Sequence, residues 1–129
     1  MLAIDTNVIV RFLTGDDPDQ AGRARALIEA ETISVSTTVL LEVEWVLRSA
    51  YGFSSVKVHA ALAAFAGLAN VRLQEPERIA QALAWLARGA DFADALHLSS
   101  LGAARGFRTF DKRLIKHAAV LGVADVEEP

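Results

Sequence analysis

Met1-Leu2-Ala3-Ile4-Asp5-Thr6-Asn7-Val8-Ile9 opens the chain with a short apolar run that ends on an acid. Met1 to Asp5 is too short to show helical periodicity and reads as a buried strand. Thr6-Asn7 can cap a short helix that runs through Leu13. Strand, acid, cap and helix follow each other with no spacer. Short strands and amphipathic helices then alternate down the chain, with no internal repeat, and that alternation decides the fold.

Working outward, Gly15-Asp16-Asp17-Pro18 is a turn, with Asp17 as N-cap and Pro18 as first helical residue. Asp19 to Glu31 carries Ala21, Ala24, Leu27 and Ile28 at helical spacing. Thr32 to Ser36 is a β-branched strand. Thr37 or Thr38 caps a helix over Val39 to Ala50, closed by Gly52. Ser54 or Ser55 opens a helix to about Leu68, and Val71 to Leu73 is a third strand. Glu75-Pro76-Glu77 begins a helix that Gly89 stops, with acids at its positive end. Ala90 to Arg105 reads as helix ended by Gly106. Phe107 to Phe110 is a fourth strand leading to Asp111, Arg113 to Ala119 a short helix, and Val123 to Val126 a fifth strand at an edge. Strands alternating with amphipathic helices predict a three-layer α/β/α domain around a mostly parallel sheet of four or five short strands. One domain over residues 1–129 suits this length.

Composition narrows the function. Apolar residues make up 53% of the chain, enough for a core with apolar surface left for a partner. There is no cysteine, so disulfides and thiolate metal sites are excluded. Asp5 interrupts any signal-type stretch, and no apolar run approaches the ~20 residues of a membrane span. A soluble, cytoplasmic protein with no membrane partner is expected. Net charge is −3, so the molecule as a whole is not a basic nucleic-acid binder. Four metal-binding acids set aside, the remainder is about neutral, and a local basic rim can still hold RNA.

The chemistry sits in the acids. Asp5 and Asp111 directly follow predicted strands, which places them at the carboxyl edge where parallel sheets bind ligands. Glu42 and Asp94 each lie about one turn into a helix. Four carboxylates gathered in one cleft repel each other and raise each other's pKa, a conflict that a hard cation removes. Oxygen-only ligands favour Mg2+, with Mn2+ as a substitute, over zinc. One or two such ions activate water for attack on a phosphodiester.

The chain resembles PIN-domain ribonucleases, and among them the VapC-type toxins of toxin–antitoxin pairs. The motifs are Ile4-Asp5-Thr6-Asn7-Val8-Ile9, Leu41-Glu42-Val43-Glu44-Trp45-Val46-Leu47, Asp91-Phe92-Ala93-Asp94-Ala95-Leu96-His97 and Thr109-Phe110-Asp111. The resemblance implies a magnesium-dependent endoribonuclease with Asp5, Glu42, Asp94 and Asp111 as its acidic quartet. Asp91 would be a secondary ligand, and Asn7 and Thr109 polar neighbours that orient water or a carboxylate. It also implies a VapB-type antitoxin and a homodimer, and products with a 5′-phosphate and a 3′-hydroxyl.

Other readings compete at single positions. Asp5, Asp91 and Asp111 can serve as helix caps. Glu44 rivals Glu42, though a solvated helix charge suits Glu44 better. His97 reads as partly buried and hydrogen-bonded rather than a ligand, and His59 and His117 as surface residues. Trp45 and Trp85 suit core or dimer packing. Tyr51 and Phe53 suit either core or an antitoxin groove. Arg108, Lys112, Arg113 and Lys116 are candidate RNA-phosphate contacts. A nuclease with a DNA or other phosphodiester substrate, and a non-catalytic RNA- or protein-binding module, are the alternative functions.

Overall fold

The opening run folds as β1 (Leu2–Ala3) in a computed structural model that describes residues 1–129. It is less buried than expected: Leu2 is 44% exposed, and within the run only Ile4 is buried. β1 pairs with a single neighbour and lies at a sheet edge. The cap of the next helix is Asp5 rather than Thr6 or Asn7, and α1 spans Thr6–Thr14. Asp17 caps α2 (Pro18–Ala30), with Pro18 at its first position. After β2 (Ile33–Val35), the cap of α3 (Thr37–Ser49) is Ser36, one residue earlier than read from sequence. Ser36 Oγ accepts from the Val39 amide at 3.1 Å. Ser54 caps α4 (Ser55–Ala66), and β3 (Val71–Leu73) follows.

These elements make one of two compact units, Met1–Pro76; the other is Glu77–Pro129. The first unit's sheet runs β1-β2-β3 with every pairing parallel. Ile33 stands opposite both Leu2 and Val71. As the central strand, β2 buries Ile33 and Val35 completely. α1 packs on α2 and α3, and α3 on α4. Ile9, Leu40, Val43, Leu47, Leu62 and Phe65 are fully buried in this unit. Each such side chain contributes about 1.5–3 kcal/mol through its removal from water.

The second unit holds most of α5 (Pro76–Ala87), then α6 (Phe92–Ser99), β4 (Phe107–Arg108), α7 (Lys112–Leu121) and β5 (Val126–Glu127). β4 and β5 pair in parallel as a ladder of their own, so the five strands divide into sheets of three and two. The helix expected over Ala90 to Arg105 is much shorter. Ser100 N donates to His97 O, and the hydroxyls of Ser99 and Ser100 donate back to the carbonyls of Leu96 and His97. Those bonds close the last turn, and Gly102 at φ +54° carries the chain away. Leu98, Leu114 and Ala118 form a core cluster, with Trp85, Phe107 and Val126 packed against it. The whole is an α/β fold with seven helices. No helix is long and apolar enough to cross a membrane.

Candidate metal and nuclease site

In the first unit, Asp5 sits where β1 hands over to α1. Its Oδ1 accepts from the Thr6 amide at 2.7 Å, so one carboxylate oxygen is committed to the helix N-terminus. Thr6 itself is 3% exposed, and its hydroxyl donates to Glu42 Oε1. That bond ties the second turn of α3 to the first residue of α1 and fixes the Glu42 carboxylate. The rest of Glu42 is exposed. Sequence reading gave Thr6 a capping role only and missed its bond to Glu42. The signal available was a hydroxyl residue directly after Asp5 in the first motif.

Glu44 is the opposite of the solvated charge expected. It is 4% exposed and its Oε1 accepts from Arg48 Nε at 2.9 Å. The partner one helical turn on is what makes a buried carboxylate tolerable. Its rival Glu42 therefore keeps the accessible carboxylate of this helix.

Asn7 is exposed and lines a groove of about 420 Å³ along α1 and α2 with Val8, Arg11, Arg23 and Leu27. Arg11 is held in a polar knot: its Nη1 donates to Asp16 at 3.1 Å and to Tyr51 Oη at 2.9 Å. The Tyr51 hydroxyl donates to Asp16 at 2.6 Å, and this bond is the chief reason the Asp16 carboxyl is held below its ordinary pKa. Tyr51 is thus a half-buried polar link rather than core. Phe53 meets Tyr51 edge-on, and the Lys57 ammonium lies 4.1 Å from the Phe53 ring centre. Trp45 is 57% exposed and takes no part in this unit's core.

In the second unit, Asp91 is the N-cap of α6, its Oδ2 accepting from the Asp94 amide at 3.1 Å. Asp94 lies in the first turn of that helix and is half-buried. Its pKa is raised, first by burial and then by the charges of Asp91 and Asp111; His97 and Arg113 oppose this weakly. The three carboxylates therefore share one electrostatic neighbourhood. Asp111 caps α7 through Oδ1, which accepts from the Arg113 and Leu114 amides at 2.9 and 3.2 Å. Its own amide donates to Thr109 Oγ1 at 3.0 Å, and the Thr109 amide donates to Glu127 O. Thr109 thus fixes the backbone on which Asp111 is carried.

Several expectations need correction. His97 is exposed, not partly buried, and His59 is half-buried while His117 is exposed. Trp85 is half-buried and packs on the Leu98 cluster. Arg108 lies 3.1 Å from both Asp125 and Glu127, so part of its guanidinium is engaged by carboxylates. Lys112, Arg113 and Lys116 are exposed on α7.

Nowhere do three or more aspartate, glutamate or histidine side chains draw together closely enough to grip one ion. The donor chemistry nevertheless fits a hard divalent cation: the acids offer oxygen only, and a cation would offset both the burial and the neighbouring negative charge that raise the Asp94 pKa.

The sequence model of the PIN domain family matches residues 2–120, most of the chain. The chain belongs to the PIN domain family. PIN domains are generally nucleases and typically use divalent metals, so the family points to hydrolysis of a nucleic acid. No curated protein and no solved structure matches this PIN domain chain.

Proposed function

We propose that this PIN domain is a magnesium-dependent endoribonuclease acting as the toxin of a toxin–antitoxin pair, with Mn2+ as a substitute ion. The observation that carries the reading is the match to the PIN domain family over residues 2–120; half-buried Asp94, whose amide is held by the capping carboxylate of Asp91, agrees with it. A cluster of like charges built without a compensating cation is costly, and a resident divalent ion supplies the compensation. The proposed ligands are Asp5, Glu42, Asp94 and Asp111, with Asp91 secondary. When bound, the ion would activate water for attack on phosphorus and stabilise the leaving oxygen.

The chain's own residues have separate tasks in this scheme. Thr6 holds the Glu42 carboxylate in one orientation, and Thr109 and the α7 amides hold Asp111. Asn7 orients water or a carboxylate. Lys112, Arg113 and Lys116 neutralise RNA phosphates, as cations on an exposed face do. Cleavage leaves a 5′-phosphate and a 3′-hydroxyl. A VapB-type antitoxin and a second copy of the chain are the proposed protein partners, and residues 1–129 act together as one PIN domain.

The test is cleavage of RNA, DNA and small phosphates side by side, with Mg2+ and with excess EDTA. RNA should be cut only with the metal, and Asp5→Ala and Asp94→Ala should abolish cutting. Asp111→Asn is the sharper variant. Asparagine caps a helix about as well as aspartate, so stability should change by less than about 0.5 kcal/mol while cleavage is lost. Full activity in EDTA, or a 2′,3′-cyclic phosphate product, overturns the metal mechanism. Tight RNA binding without cleavage in any metal would make the protein a binding module.

A further inference from the structure

Phe110 is 78% exposed, an unusual place for a large aromatic ring. It lies between Thr109 and Asp111, on a stretch that is held on both sides. Thr109 N donates to Glu127 O at 3.1 Å, and the Asp111 amide donates to Thr109 Oγ1 at 3.0 Å. Asp111 is in turn fixed as the cap of α7. The ring is therefore displayed from an ordered junction and not from a loose loop.

The helix that starts at this junction has two faces. Leu114 and Ala118 are buried. Lys112, Arg113 and Lys116 are exposed, and none of them forms an ion pair. Spacings of three and four residues keep Lys116 beside Arg113 and Lys112 on the helix surface. A bare ring just ahead in sequence of three exposed cations, of which Arg113 also acts on Asp94, is the kind of surface that a single-stranded nucleic acid binds. The cations follow its phosphates while the ring takes a base on its face. Two of the three cations are lysines, which protein interfaces use sparingly and phosphate contacts use freely.

We infer that Phe110 is a stacking residue, holding an unpaired base of a single-stranded RNA beside Asp111 while the α7 cations engage the adjoining phosphates. The inference rests on the RNA reading above. It adds one named contact, Phe110 to a base, which needs that base unpaired because a stacked duplex offers no free base face. Phe110 touches no reacting atom, so its contribution belongs to binding and register.

The experiment uses the full chain with Mg2+ and short single-stranded RNA oligonucleotides that carry a mapped cut. Phe110→Ala should raise KM about tenfold and leave kcat within about twofold, in line with the loss of one base–aromatic stack. Phe110→Trp should keep the wild-type KM. Removing the base next to the cut, as an abasic nucleotide, should cost wild type the same factor and cost Phe110→Ala nothing more, because both changes delete one contact. An unchanged KM in Phe110→Ala, or penalties that multiply, overturns the stacking role and leaves the ribonuclease reading standing. Failure of the wild-type chain to cut any RNA overturns both. The exposed position keeps the variant folded, and an unchanged thermal midpoint checks this.

Discussion

Thr6 shows how a residue with no chemistry of its own can govern a site. Its hydroxyl is buried, caught between the helix it begins and the Glu42 carboxylate it donates to. Thr6→Val keeps the shape and removes the bond. Stability should fall by about 1 kcal/mol, since the freed Glu42 oxygen can be rehydrated. RNA cleavage should fall at least about tenfold as Glu42 loses its orientation. Thr6→Ser should restore both, and a variant set that leaves activity untouched would remove Thr6 from the site. Glu42 and Glu44 make the related point. They are two residues apart on one helix, yet one is accessible and the other buried against Arg48. Arg48 stands one turn after Glu44 and Val46 one turn after Glu42, but only the packing of α3 shows which carboxylate is buried.

At the level of elements, the recurring device is a strand that passes straight into a helix through one capping side chain. Asp5 and Asp111 do this beside candidate metal ligation, and Ser36 does it without any such role. The β4–β5 ladder depends on another junction. A Cβ at Gly106 would come within 2.6 Å of the Asp125 carbonyl oxygen and side chain. That backbone cannot yield, because the Phe107 amide donates to the same carbonyl at 2.9 Å. Gly106→Ala should therefore destabilise the chain by roughly 1–3 kcal/mol. Amide exchange should show the loss first at Phe107 and Thr109. Equal protection in variant and wild type would show that the ladder tolerates the methyl.

For the whole molecule the decisive quantity is the linkage between metal and fold. An ion that binds only the folded chain should raise its stability by about 1.4 kcal/mol at tenfold excess over its dissociation constant. The sign with pH follows from Asp94, whose folded-state pKa lies above the ordinary carboxyl value. Its own contribution to stability is fully present below that ordinary value and is lost as pH rises through the folded value. The ion takes the deprotonated form, so the stabilisation by Mg2+ should grow across the same window. Asp94→Asn should abolish the Mg2+ effect and its pH dependence in thermal melts. A Mg2+ shift that survives in this variant would place the ion elsewhere.

The sequence by itself determined the order and type of nearly every element, because caps, glycines and apolar spacing act over a few residues. Asp17-Pro18 marked the start of α2, and the alternation of strand and helix marked an α/β fold. It misread features whose cause lies further away. The Ala90 to Arg105 pattern continued past Ser99, but serine hydroxyls turned back on the helix and ended it. β1 looked buried because its residues are apolar, but how much of a strand is covered depends on what packs on its faces, and Leu2 is left exposed. Asp5, Glu42, Asp94 and Asp111 were named from motif and position in the chain. Tertiary structure alone decided that Thr6 holds Glu42, that Asp94 is half-buried with its pKa raised, and that Glu44 is buried. Hydrogen bonds between residues far apart in sequence, and charges interacting through space, depend on coordinates that no local pattern carries.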